Sequence, residues 1–170
     1  MTVCAANNSG AATRARPARL LMEKFNDGTQ SVPGNKIGDY LAGVQARRDG
    51  SSANPTGVLD VEGFVNRCTN ASCSTSTSVI SNVLGTTVSV GQSFTLRLKW
   101  DQPNHQFLFG LDSLADVALP YAASDTAPAN TTFVNTSLFH TTANCTAGAI
   151  VVDSTTLVGT VKTNSSAVIP

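Results

Sequence analysis

An all-β fold, built as a two-sheet antiparallel β-sandwich of the jelly-roll kind, is predicted by three features of this sequence. Apolar and polar residues alternate in short runs, as half-buried strands require. These runs recur about every ten residues, separated by turn chemistry such as Asn26-Asp27-Gly28, Pro33-Gly34-Asn35 and Asn54-Pro55. The polar content is mostly Thr, Ser and Asn, while charged residues make up 13% of the chain, about half the usual share. Thr suits strands, and Ser, Asn and Gly suit turns. No stretch sustains the helical period; "SLADVAL", residues 113–119, is the one place where the pattern allows a short helix.

The elements follow in order. Residues 1–15 are small and polar and read as a loose N-terminal segment; the sandwich occupies 16–162, and 163–170 form a tail. "ARLLMEKF" from Ala18 is the first strand, ended by the turn-rich "NDGTQSVPGN". "GDYLAGVQARR" is the second, and "VLDVEGFVNRC" is a long third strand running into a tight loop at Cys68. "TSVISNVLG" and "TTVSVG" read as two further strands. "ADVALPY", "TTFVNTSLFH", "GAIVVD" and "TLVGTVK" are short candidates toward the C-terminus.

The most orderly stretch is "FTLRLKWDQPNHQFLFGL", residues 94–111. Phe94, Leu96, Leu98 and Trp100 share one face of a strand, with Arg97 and Lys99 on the other. "DQPN" supplies the turn, with Pro103 and Asn104 at its central positions. On the return strand His105, Phe107, Phe109 and Leu111 share a face. Trp100 is in phase with the buried set, which favours a core position over a sugar-stacking platform.

Eleven basic and eleven acidic residues leave no formal net charge. The electrostatic term that drives nucleic-acid binding is therefore missing, and no nucleic-acid partner is expected. No apolar run reaches the roughly 18 residues of a membrane-spanning helix. The N-terminus, "MTVCAANNSG", lacks the basic start and apolar run of a signal peptide.

Four cysteines allow three pairings. Cys68 and Cys73 bracket "TNAS" and are natural partners, which leaves Cys4 for Cys145. Loop-closure entropy gives about 2 kcal/mol for the short loop and about 5 kcal/mol for the long one. Zinc would need a second ligand pair at usable spacing, which the chain lacks. An even cysteine number points to an oxidising compartment, extracellular or periplasmic. Asn-x-Ser/Thr triplets begin at Asn7, Asn70, Asn130, Asn135, Asn144 and Asn164.

The strand faces opposite the apolar rows carry Arg19 and Glu23, Gln45 and Arg47, Asp60 and Glu62, and Arg97 and Lys99. If these strands share a sheet, they form one mixed-charge surface. Two readings compete. One is a ladder of cross-strand ion pairs, each worth about 0.2–1 kcal/mol. The other is a polar platform for a ligand, with Gln45, Arg47, Asp60, Glu62, Arg97 and Lys99 as the candidate binding residues.

The order of these segments, with a lead-in from Gly85 to Gly91, then "FTLRLKWD", a turn and "FLF", resembles the concanavalin A-like lectin/glucanase superfamily. The likeness covers roughly residues 16–125 and is greatest to the laminin-G-like jelly-roll modules of extracellular proteins. It implies ligands held on one sheet or by rim loops. Enzymes of that superfamily carry a Glu-x-Asp-x-Glu strand. Here "VLDVE" matches its second and third acids with Asp60 and Glu62, but Val58 stands in place of the first. A retaining glycosidase needs a pair of suitably spaced carboxylates, one of them the nucleophile, so the incomplete motif argues against catalysis. Laminin-G modules often bind calcium at a rim. Asp27, Asp112, Asp116 and Asp125 are the available acids, and calcium stays unassigned, with no other cofactor expected.

The leading expectation is a non-catalytic extracellular recognition module that binds a glycan or a protein partner. The alternative is a structural or accessory subunit of a larger extracellular assembly, in which the chain self-assembles. A glycosidase using Asp60 and Glu62 ranks third.

Overall fold

The computed structural model describes residues 15–48, 53–55, 58–89, 92 and 94–140. Eight strands form two antiparallel sheets. In chain order they are β1 (Ala15–Asn26), β2 (Asp39–Arg48), β3 (Val58–Cys68), β4 (Ser76–Ser89), β5 (Leu96–Asp101), β6 (Gln106–Leu111), β7 (Val117–Pro120) and β8 (Ala127–His140). The larger sheet has the order β4-β3-β2-β1-β8, and the smaller has β5-β6-β7. Two meanders therefore stack as a sandwich, and β8 returns to the first sheet to pair with β1.

Alternation determines which residues meet between the sheets. On β2, Ala42, Val44 and Ala46 are fully buried, and Leu59, Val61 and Val65 of β3 continue the layer. Phe107, Phe109 and Leu111 of β6 press on them from the smaller sheet, flanked by Leu96, Leu98 and Trp100 of β5. Burying each large apolar side chain is worth about 1.5–3 kcal/mol. Gly63 leaves the space that the Phe109 ring occupies: a Cβ there would lie 2.6 Å from the ring.

β1 reaches this core with an irregularity. Glu23 opposes Leu41 and Phe25 opposes Tyr40, so Lys24 is an extra residue and the strand's phase changes. Met22 and Phe25 thus both face inward. Phe25 stacks on Tyr40 at 4.6 Å between ring centres and sits 4.8 Å from Tyr121 and 5.8 Å from Trp100. Trp100 Nε1 donates to the Tyr121 hydroxyl at 2.7 Å. The tryptophan is a member of the aromatic core.

Three expectations need correction. Residues 113–119 contain no helix: after a turn, Val117 pairs with Phe109 and begins β7. Leu114 stays 52% exposed, while Val117 and Leu119 meet the core two residues apart, the spacing of a strand and not of a helix. The segments on either side of Gly85 are one strand, β4, with a register shift opposite Asp60–Glu62; Gly85 takes φ +71° there. His105 does not share the inward face of β6. It ends the turn with φ +48°, its amide donating to Gln102 O at 2.9 Å, and its side chain is 59% exposed. The turn itself places Pro103 and Asn104 centrally, as expected.

The Cys68–Cys73 disulfide closes the loop between β3 and β4. Cys4, Cys145, "GAIVVD" and "TLVGTVK" lie outside the described residues, as do the 1–15 segment up to residue 14 and the 163–170 tail. No helix among the described residues is long and apolar enough to cross a membrane.

Candidate functional site

The face of the larger sheet that points away from the smaller one carries the expected polar cluster. Register places Arg19 beside Gln45 and Gln45 beside Glu62, with Arg47 beside Asp60 in the next row. The cluster is occupied with itself. Gln45 Nε2 donates to Glu62 Oε2 at 2.8 Å, and Arg47 Nε lies 3.0 Å from the same oxygen, an ion pair without hydrogen-bond alignment. Asn54 Nδ2 donates to Asp60 Oδ1 at 2.7 Å. Gln45 is 4% exposed and Glu62 8%. Burial alone holds the Arg19 guanidinium below its ordinary pKa.

The face is not polar throughout. In the neighbouring row Leu21, Gly43 and Phe64 stand side by side, and the Phe64 ring and Leu21 close over Gly43. The polar residues therefore make an island bounded by apolar side chains.

Arg97 and Lys99 do not join this island. They sit on β5 in the other sheet, where Arg97 binds Asp116 Oδ1 and Leu114 O at 2.6 and 2.7 Å. Of the expected binding residues, the fold brings Gln45, Arg47, Asp60 and Glu62 together and sets Arg97 and Lys99 apart. Alternation assigned each side chain a face but could not say which sheet a strand enters.

Asp27, Asp112, Asp116 and Asp125 lie apart from one another in function. Asp27 binds the Arg67 guanidinium and Thr29. Asp112 Oδ1 accepts the Thr95 amide at 2.7 Å, and Asp116 pairs with Arg97. Asp125 is 3% exposed and accepts the Tyr121 hydroxyl at 2.7 Å on Oδ2, which also lies 3.1 Å from His105 Nδ1. Burial, then the hydrogen bond to the Asp125 carboxylate, pushes the Tyr121 hydroxyl pKa well above its ordinary value.

A second polar nest lies on the same outward face as the island, at the far end of the sheet; sequence reasoning put Glu23 on this face but missed Asn26, Lys36, Asp39 and Asn130. Glu23, Asn26 and Asp39 are all 1% exposed or less. Lys36 Nζ reaches both Glu23 oxygens, at 3.1 and 3.3 Å. Asn26 Nδ2 donates to Asp39 Oδ1 at 2.7 Å, and the Asn130 amide is a second donor to the same oxygen at 3.1 Å. Asn130 Nδ2 binds Gln30 O and Asn35 O, pinning the loop between β1 and β2. The available signal was the crowd of Asn and Asp around "NDG" and "GNKIGD", since such residues satisfy loop backbone groups.

Among the described residues, a small cavity between Leu84, Phe109, Leu114 and Val117 measures about 20 Å³, room for one water. Comparison with known proteins finds no matching family model, no significantly similar curated protein and no significantly similar solved structure.

Proposed function

We propose that this chain is a non-catalytic extracellular recognition module whose partner is a protein, engaged along strand β4. The observation that carries this reading is the character of that strand. β4 is 14 residues long and lies at the edge of the larger sheet. Residues 68–96, which include it, contain no Asp, Glu, Lys or Arg. Thr77, Ser78, Ser81 and Asn82 are exposed, and Val79 is 40% exposed. The smaller sheet guards its edges in the usual ways: β5 carries Arg97, Lys99 and Asp101, and β7 is four residues long and ends in Pro120. Among the described residues, β4 has only register shifts at Val79 and Gly85 to protect it. An uncharged edge of this length suits addition of an extended segment from another protein.

A glycan partner draws less support. Gln45, Arg47, Asp60 and Glu62 bind one another or Asn54, and the residues with the most polar chemistry are the least exposed. The same arrangement speaks for a non-catalytic chain, because Glu62 is held by two neighbours and Asp60 by Asn54. The laminin-G-like jelly-roll resemblance remains part of the proposal; it agrees with the two antiparallel sheets but rests on the sequence pattern. The disulfide agrees with an extracellular or periplasmic site.

A structural role in a larger assembly is the second reading. It is favoured by β8, the other edge of the same sheet, which is also 14 residues long and free of Asp, Glu, Lys and Arg. Two such edges allow copies to join sheet to sheet.

The test is light scattering on size-exclusion-purified oxidised protein over a range of concentrations, alone and with a glycan pool and calcium, paired with retention of extracellular proteins on the immobilised chain. A monomer whose thermal midpoint ignores glycan and calcium, and whose captured protein is lost in Val79→Lys, supports the recognition reading. Defined oligomers that Val79→Lys dissolves favour the assembly reading. A midpoint raised by glycan overturns the protein-partner proposal, since a ligand of the folded state raises stability.

A further inference from the structure

The two sulfurs of the Cys68–Cys73 bridge sit in different surroundings. Cys68, the last residue of β3, is fully buried. Cys73 is partly exposed, at φ +57°, between the exposed Ser72 and Ser74. Beneath Cys68 lies Glu23, itself fully buried, with Oε1 3.8 Å from Cys68 Sγ. A disulfide sulfur carries no proton, so this is a contact and not a hydrogen bond. One Glu23 oxygen and the two sulfurs fall within 4.8 Å of one another. That spacing would suit a metal ion, but the sulfurs are bonded to each other and are spent as ligands.

A buried carboxyl group placed against one sulfur of a bridge, with the other sulfur reachable from solvent, is an arrangement that suits acid-assisted thiol–disulfide exchange. The attacking thiolate requires access to one sulfur, and a proton donor beside the leaving sulfur speeds its departure. The charged and titratable groups facing Glu23 are Lys36 from the β1–β2 loop, Asp39 from β2, and the two cysteines. Its paired positions, Leu41 on β2 and Phe133 on β8, are apolar residue types. Burial raises the Glu23 pKa; the Lys36 hydrogen bond and charge oppose this, and Asp39 adds to it.

We propose that Cys68–Cys73 is an exchangeable disulfide, attacked at Cys73 by an external dithiol, with Glu23 as the proton donor to Cys68. The reductant's thiolate bonds to Cys73 Sγ while the S–S bond breaks, and its electron pair leaves on Cys68. Cys68 takes the proton of the Glu23 carboxyl group. The second thiol of the reductant, as its thiolate, then displaces Cys73, which is protonated from water. Both cysteines end as thiols, the dithiol ends as a disulfide, and two electrons have passed. Glu23 regains its proton from water.

The test is the rate at which dithiothreitol reduces the oxidised full chain, read by acid quench, alkylation and mass, from pH 5 to 9. Rates are divided by the thiolate fraction of dithiothreitol. Expected for the wild type is a corrected rate that falls as pH rises through the Glu23 titration, by roughly 10²-fold, the low end of general-acid catalysis. Glu23→Gln gives a flat, slow profile. Lys36→Met, which keeps the carboxyl group and removes its cation, moves the break to higher pH and provides the reading if Glu23→Gln does not fold. Glutathione in excess is found on Cys73. A corrected wild-type rate independent of pH, or glutathione found on Cys68, overturns the proposal and leaves the bridge a fixed staple.

Discussion

The ring of Phe109 lies on the backbone of Gly63, so closely that a methyl group at position 63 would come within 2.6 Å of the ring carbon Cγ. This is where the two sheets approach, and neither partner can yield cheaply. Phe109 is fully buried and held beside Phe107, while Gly63 lies inside β3 with neighbours on both sides. Gly63→Ala is therefore expected to cost about 1–3 kcal/mol through overpacking. Thermal unfolding checks this, and an unchanged midpoint would mean that the sheets are farther apart than described.

Tyr121 links the aromatic core to a buried acid. Its hydroxyl accepts from Trp100 Nε1 and donates to Asp125 Oδ2. Tyr121→Phe keeps the packing but strands the Trp100 indole N–H and leaves Asp125 Oδ2 with His105 alone. The expected loss is about 1–3 kcal/mol, the cost of leaving buried polar groups unmade. Trp100 fluorescence should shift in the folded variant, because the indole loses the Tyr121 hydroxyl as its acceptor; urea unfolding followed at that signal measures both effects.

Asn130 fixes the loop between β1 and β2 with four hydrogen bonds, two through its backbone and two from its side chain. Asn130→Ala removes the side-chain pair and should destabilise the protein by about 1–3 kcal/mol. Amide exchange at Asn35, Lys36 and Asp39 should rise with it. The same geometry predicts that the Asn130 acceptor triplet stays unmodified in the folded chain, which peptide mass measurement after secretion from a glycosylating host would show.

Asp27 gives a pH dependence of definite sign. Burial pushes its pKa up, but hydrogen bonds from Arg67 and Thr29 together pull it below the ordinary carboxylate value. The folded state then binds this proton less tightly than the unfolded chain. The stabilisation is complete above the unfolded value, about pH 3.9, and is lost as pH falls through the lower folded value. Asp27→Asn should flatten the acid limb of the stability profile while lowering stability at neutral pH. Glu23 works oppositely: its raised pKa makes stability fall as pH climbs from the ordinary value through the folded one. Acid titration of urea midpoints for the two variants separates these slopes.

Local pattern made much of this architecture legible. β3 runs from Val58 to Cys68, the span that apolar alternation marks out, because every second residue there meets the other sheet. The β5–β6 hairpin was equally plain, since Pro103 and Asn104 fit the turn that joins Trp100 to Phe107. What local pattern could not supply was partnership across long stretches of chain. Glu23 is buried because Lys36 and the disulfide loop fold over it, 13 and more residues away. Arg97 and Lys99 alternate as correctly as Gln45 and Arg47, yet sit in a different sheet. Gly85 read as a boundary because glycine commonly ends a strand; here it serves a positive φ inside one.

The charge-free span from Cys68 to Leu96 also determines how the chain meets proteases. Trypsin-like enzymes cut after Lys or Arg, and Arg67 and Arg97 are the nearest such residues on either side. The long edge strand and its disulfide loop, where most described residues from Thr69 to Asn82 are exposed, therefore offer these enzymes no bond to cleave. This stretch is durable to that whole class of digestion, whether or not the sandwich around it is momentarily open.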